Sequence, residues 1–243
     1  MNRSLFIELI HFTKSTLDSI KNFTQLSRGK FSDKEFGEFF YRMVTKDIEK
    51  NDLLLDGFLN YIKATTLIRK KDRVNILIEE VLKSHQVRLE EKKTKIFRNF
   101  EKDLPETIVP DEQLRFVLNS ILQYAMASMT LDGGIEFLTR SFALQKQTTE
   151  DQAFFKSNGK YIEILVAFTG YKKPKEQLGK ELETSTLQKE DVWDLVLRLV
   201  ENIVQRNQGM MKFEVDEIEA KKFISLKFPF ERRKVAYYQQ ANE

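Results

Sequence analysis

The stretch Leu9-Ile10-His11-Phe12-Thr13-Lys14-Ser15-Thr16-Leu17-Asp18-Ser19-Ile20-Lys21-Asn22-Phe23 decides how the chain is read. Between about Ser4 and Ser27 apolar residues recur at helical spacing, at Ile10, Leu17, Ile20 and Phe23 or Leu26. His11, one of only two histidines in the chain, lies on this helix. Working outward, Arg28-Gly29-Lys30-Phe31-Ser32-Asp33 is a stop followed by a restart. Gly29 suits a helix C-cap, and Ser32 or Asp33 can cap the next helix. That helix is expected from about Lys34 to Thr66. Its long stripe comprises Phe36, Phe39, Phe40, Met43, Val44, Ile48, Asn51, Leu54, Leu55, Phe58, Leu59 and Ile62. A helix of about 30 residues is near 45 Å long. Its partner is shorter, so two helices alone cannot bury this much apolar surface. A second copy of the hairpin would complete a four-helix bundle, and a homodimer is expected.

Beyond the hairpin, Arg69-Lys70-Lys71-Asp72-Arg73 reads as a charged linker, and the pattern changes to α+β. The expected domains are a histidine-bearing hairpin over 1–68, an α/β sandwich over 74–232 and a loose tail over 233–243. Within the second domain, Val74 to about Lys92 reads as one helix and Lys95–Phe100 as a strand. Asp111 caps a helix running to about Met129. Asp132-Gly133-Gly134 turns into a strand from Ile135 to Ala143, and Tyr161–Phe168 is the next strand. Thr148–Gly159 reads as a loop, and Gly170 to about Lys189 is polar with no clear period. A helix is expected over Asp191–Arg206, followed by strands Met211–Val215 and Phe223–Phe228.

Composition narrows the function classes. The chain has 243 residues, 41% hydrophobic and 32% charged, enough apolar mass for an ordinary core. A net charge of +3 gives no argument for nucleic acid. Cysteine is absent, so disulfides, thiolate metal sites and a cysteine nucleophile are excluded, and two histidines leave little room for zinc. No apolar run approaches a membrane span, and Met1-Asn2-Arg3-Ser4 lacks a signal-peptide pattern. A cytoplasmic location is the default expectation.

This order of a helical hairpin followed by an α/β sandwich resembles the catalytic core of sensor histidine kinases, over about residues 5 to 232. In that family the first hairpin helix carries a phosphoacceptor histidine. Here the frame runs from His11 to Ile20, and Lys21-Asn22-Phe23 fits the continuation. Glu38-Phe39-Phe40 to Leu59-Asn60-Tyr61 is similar to the second hairpin helix. Val74–Leu82 and Asp111–Leu118 resemble the first two helices of the ATP-binding domain. The resemblance implies a Bergerat-type sandwich, a response-regulator receiver domain as partner, and His11 as candidate phosphoacceptor. Residue type alone also fits a plain surface histidine. Ser15 falls where family phosphatases orient a water. His85 reads as surface, and Trp193 as a packing residue.

The active-site motifs depart from the family. The acidic residue after the histidine is Phe12, and the proline five residues on is Thr16. The two asparagines that serve Mg²⁺ and phosphates on one helical turn fall at Ser120 and Tyr124. In the first glycine box the adenine-binding aspartate is Phe168. Gly170 is kept, and the second glycine is Lys172. The glycines of the second box fall at Asp194 and Val196. A side chain there blocks backbone approach to a triphosphate, and a carboxylate repels it. ATP and Mg²⁺ are therefore not expected as cofactors, and no metal site is expected. The expected function is a two-component signalling protein that docks a receiver domain beside His11 and either relays phosphate through His11, as phosphoacceptor or phosphotransfer residue, or docks and modulates. This resembles the stand-alone histidine phosphotransferases that pair a hairpin dimer with a vestigial ATP domain. The alternatives are a pseudokinase scaffold or inhibitor pairing with a histidine kinase, or a weak kinase or phosphatase.

Overall fold

The computed structural model describes residues 3–30, 33–66, 74–143, 159–170 and 184–230. Among the described residues six helices, α1 (Arg3–Leu26), α2 (Lys34–Thr66), α3 (Val74–Ser84), α4 (Gln86–Glu91), α5 (Asp111–Ser128) and α6 (Thr184–Arg206), accompany five strands. These are β1 (Lys95–Phe100), β2 (Gly134–Ala143), β3 (Lys160–Thr169), β4 (Met210–Asp216) and β5 (Lys221–Pro229). The class is α+β, as expected. The elements fall into two compact units, one built from α1, α2, α5 and α6, the other from α3, α4 and the strands.

In the helical unit, local chemistry sets the hairpin turn. Gly29 takes φ +84°, a conformation that costs a Cβ-bearing residue, and so ends the turn after α1. The Asp33 carboxylate accepts hydrogen bonds from the backbone N–H of Glu35 (3.0 Å) and Phe36 (3.2 Å), capping α2. Phe6 meets Phe58 and Phe23 meets Phe39 across the hairpin, with ring centroids 5.9 and 6.1 Å apart.

The apolar stripe expected for α1 needs a correction. Ile10, Leu17 and Leu26 are exposed, while Leu5, Leu9 and Thr16 are buried. The stripe of α2 also divides between two faces. Asp47, Lys50, Asn51, Leu54, Tyr61 and Ala64 are buried, whereas Tyr41, Ile48, Leu55, Leu59 and Ile62 are exposed at heptad-like spacing. On each helix one face is covered within the chain, partly by polar residues on α2, and the opposite face leaves apolar side chains exposed. Asp47 and Lys50 pair at 3.1 Å with side chains only 6% exposed.

Helix α6 is amphipathic, burying Val192, Leu195, Val196, Leu199, Val200, Ile203 and Val204. It begins at Thr184, seven residues before the expected start, because the polar segment ahead of Asp191 continues the helix without an apolar period to reveal it. Tyr61 on α2 donates a hydrogen bond to Asn202 Oδ1 (2.8 Å), and its ring meets Phe116 of α5 edge-on at 6.1 Å.

In the sheet unit the strand order is β1-β2-β3-β5-β4. β1 runs parallel to β2, and the other neighbours are antiparallel. The single helix expected over Val74–Lys92 is broken at His85, where the backbone (φ −106°, ψ 8°) leaves the helical region. The Ser84 hydroxyl bonds back to the Val81 carbonyl at 2.7 Å, and His85 N–H reaches Leu82 O three residues back, which tightens and ends α3. In the turn before β2 the left-handed residue is Asp132 (φ +62°) rather than either glycine. Gly133 serves close approach: a Cβ there would lie 2.8 Å from the Thr169 carbonyl oxygen. Asn75 joins α3 to the residue after β1 and to β2, donating to Glu101 O (3.0 Å) and accepting from the Thr139 hydroxyl (2.9 Å). The loop expected over Thr148–Gly159 lies outside the described residues up to residue 158, as does the expected tail over 233–243.

Candidate functional site

His11 is exposed in the middle of α1. Glu8, His11, Phe12 and Ser15 follow the i, i+3, i+4, i+7 spacing that places side chains on one face of a helix. Asp194, Leu195 and Arg198 of α6 come to this face, and the seven residues line an open cleft of about 490 Å³. The sequence reading had placed Asp194 in a nucleotide motif; the structure puts it beside His11 and Ser15. Among the described residues none hydrogen-bonds the His11 imidazole. Phe12, half-buried, offers it no acceptor.

The cleft is fastened by an ion pair. The Arg198 guanidinium forks onto the Glu8 carboxylate, with one hydrogen bond of 3.1 Å and a second, shorter one to the other oxygen. A planar fork meeting a carboxylate fixes direction as well as distance. The Arg198 hydrogen bond holds the Glu8 carboxyl below its usual 4.5; desolvation opposes this, and a hydrogen bond from the Ser4 hydroxyl (3.2 Å) adds to it. Arg198 is correspondingly held above its usual range, chiefly by the same bond to Glu8. Both side chains stay partly exposed, at 46% for Arg198 and 38% for Glu8. Neither residue was singled out in the sequence. They stand 190 positions apart, and nothing local to either announces the other.

Thr16, at the proline position of the related motif, is buried, and its hydroxyl donates to the Phe12 carbonyl at 3.0 Å. A proline there would remove a helical N–H and crowd that same carbonyl. Threonine instead leaves α1 continuous through the His11 face.

The remaining predicted positions are spread over both units. Ser120 is buried on α5. Tyr124, also on α5, meets the Trp193 ring of α6 edge-on at 5.9 Å, so Trp193 is a packing residue as read. Val196 is buried against α2, where Gly57 leaves room for its Cγ2. Phe168 on β3 is fully buried, in line with Ile162, Ile164 and Val166. Gly170 takes φ +81°, and its carbonyl accepts from both the backbone N–H and the hydroxyl of Thr130, each at 2.8 Å. Lys172 lies outside the described residues. His85, read as surface, is half-buried at the α3–α4 break.

No protein-family model matches the sequence, and no curated protein matches it. Solved structures do match. Histidine kinase ThkA in complex with response regulator protein TrrA aligns with 94% of this chain and 62% of that one, at 14% identity and a TM-score of 0.57. The Acinetobacter baumannii histidine kinase AdeS aligns over 90% and 97%, at 12% identity and 0.54. Full-length ShkA in complex with AMPPNP aligns over 93% and 45%, at 15% identity and 0.50. At such identities what is shared is the fold. A long hairpin followed by a mixed five-stranded sheet with helices gives this chain the fold of a histidine-kinase catalytic core.

Proposed function

We propose that the chain is a two-component signalling protein that docks a response-regulator receiver domain on its helical hairpin and takes or passes a phosphoryl group at His11. The observation that carries this is the position of His11, exposed at mid-helix with an open cleft along its face. A neutral imidazole nitrogen is a competent nucleophile toward an acyl phosphate. The shared fold supports the reading, and one structure with that fold is a kinase bound to its response regulator.

The nucleotide-binding chemistry that this fold hosts elsewhere does not fit the residues present. Phe168 offers a buried hydrocarbon ring where an adenine acceptor is required. Tyr124 is engaged with Trp193 rather than supplying the amide or carboxylate oxygen that Mg²⁺ prefers. Val196 fills space against α2 where backbone must approach phosphates. Phosphate therefore reaches His11 from a receiver and not from ATP. The protein acts as a homodimer: the exposed stripe Tyr41, Ile48, Leu55, Leu59 and Ile62, with Ile10 and Leu17 of α1, is the second face of each hairpin helix and fits a second copy.

The test uses purified receiver domains charged with phosphate on their aspartate. Wild-type protein should draw label from a cognate receiver and His11→Ala should not. Retained labelling of His11→Ala overturns the assignment of His11. A second reading, a scaffold or inhibitor forming mixed bundles with a histidine kinase, draws on the same exposed apolar stripe. It predicts that His11→Ala leaves partner binding and regulation unchanged.

A further inference from the structure

The cleft beside His11 is lined by a cation, Arg198. We propose that Arg198 is the phosphoryl-holding residue of this site: when His11 carries a phosphoryl group, the Arg198 guanidinium leaves the Glu8 carboxylate and pairs with the phosphoryl oxygens. This rests on the reading of His11 as phosphoacceptor and adds a second residue, contributed by α6.

Three features of the cleft support it. Glu8 and His11 are one helical turn apart, about 5 Å along one face of α1, so the guanidinium changes partner by turning its side chain without moving either helix. The fork that now grips two carboxylate oxygens has the spacing required by two phosphoryl oxygens. Arg198 is also only partly covered, so its donors are accessible to a group arriving on His11.

The charges facing Arg198 define what the cleft binds. Glu8 and Asp194 place two carboxylates against one guanidinium, and Glu201 stands near on the same helix. That balance disfavours free phosphate. A phosphoryl group bonded to His11 is held at high effective concentration and displaces a carboxylate that free phosphate cannot. The step itself is ordinary. A ring nitrogen forms a P–N bond as the P–O bond of an acyl phosphate breaks, the carboxylate departs with the electron pair, and the proton on the other ring nitrogen passes to solvent.

The test uses the full chain and phosphoramidate, a small donor that loses ammonia on transfer, with labelling at His11 read by intact mass and ³¹P NMR. Arg198→Ala should slow labelling and shorten the phosphohistidine lifetime by about tenfold, less than the roughly hundredfold or more that a donor in a water-excluded site is worth, because this site is partly solvated. Arg198→Lys should recover part of both. Glu8→Gln should act in the opposite sense, because it frees Arg198 and removes a competing anion. A merely structural ion pair predicts that Glu8→Gln and Arg198→Ala share the same sign, and that result overturns the proposal. Wild-type labelling and lifetime in Arg198→Ala overturn it as well, while leaving His11 as phosphoacceptor. No labelling of His11 in the wild-type chain overturns both readings. Inorganic phosphate should give no saturable shift in the Arg198 side-chain NMR signals below millimolar concentration. Tight phosphate binding would contradict the charge argument and with it the proposal.

Discussion

Val196 of α6 lies against α2 at Gly57, where a Cβ would stand 3.3 Å from Val196 Cγ2. Val196, which the resemblance placed at a glycine position of the nucleotide motif, is a helix-packing residue, and the glycine that makes room for it is on the other helix. Gly57→Val should push the two helices apart and cost about 1–3 kcal/mol through overpacking. Chemical denaturation measures it. An unchanged midpoint would mean that α6 does not pack closely at Gly57.

The Asp47–Lys50 pair is buried in the helical unit. Removing Asp47 takes away the carboxylate that Lys50 meets at 3.1 Å in a poorly solvated place. Asp47→Ala should therefore destabilise by about 3–5 kcal/mol. Replacing both residues with leucine should cost much less than the single change. Urea unfolding of the two variants decides the point, and equal losses would contradict it.

The Glu8–Arg198 bond gives a pH dependence of known sign. The Glu8 carboxyl is held below 4.5 in the folded chain, chiefly by Arg198. A depressed carboxylate contributes stability that is present above the unfolded-state pKa and lost as pH falls through the folded one. Wild type should out-melt Glu8→Gln at neutral pH, with the gap closing as pH falls below 4.5 and the carboxyl protonates. Raising salt at neutral pH should narrow the same gap, since both side chains touch water. A gap that persists through acid would remove Glu8 as its source.

The exposed stripe of α2 predicts the oligomeric state. Leu55 and Ile62, 49% and 40% exposed, are seven residues apart on one face. Glutamate at both positions should convert a dimer to a monomer in sedimentation equilibrium without loss of helical circular dichroism. A monomeric wild-type chain would overturn the homodimer.

Titrating the protein with Mg·ATP should give no binding heat up to millimolar nucleotide. Micromolar affinity would overturn the reading of Phe168, Tyr124 and Val196 as residues committed to packing.

Much of the secondary structure was legible because its signals are local. The bounds of α1 and α2 follow from Gly29, from the Asp33 cap and from periodicity. Strands β1 to β5 follow from alternation and flanking turns. The start of α6 and the break at His85 were missed, because a polar helix shows no period and a serine–histidine break looks like any helical pair. The frame around His11 could be read from its resemblance to the histidine-kinase motif, but its surroundings could not.

The sequence by itself determined the helices and strands, the class and the absent chemical groups, because propensity, capping and hydrophobic period act over a few residues. The tertiary structure decided which apolar face of each hairpin helix is covered. It also decided that Val196 meets Gly57, and that Arg198 and Asp194 stand beside Glu8 and His11. Those pairings join residues more than a hundred positions apart, and only the packing of whole helices brings them within reach.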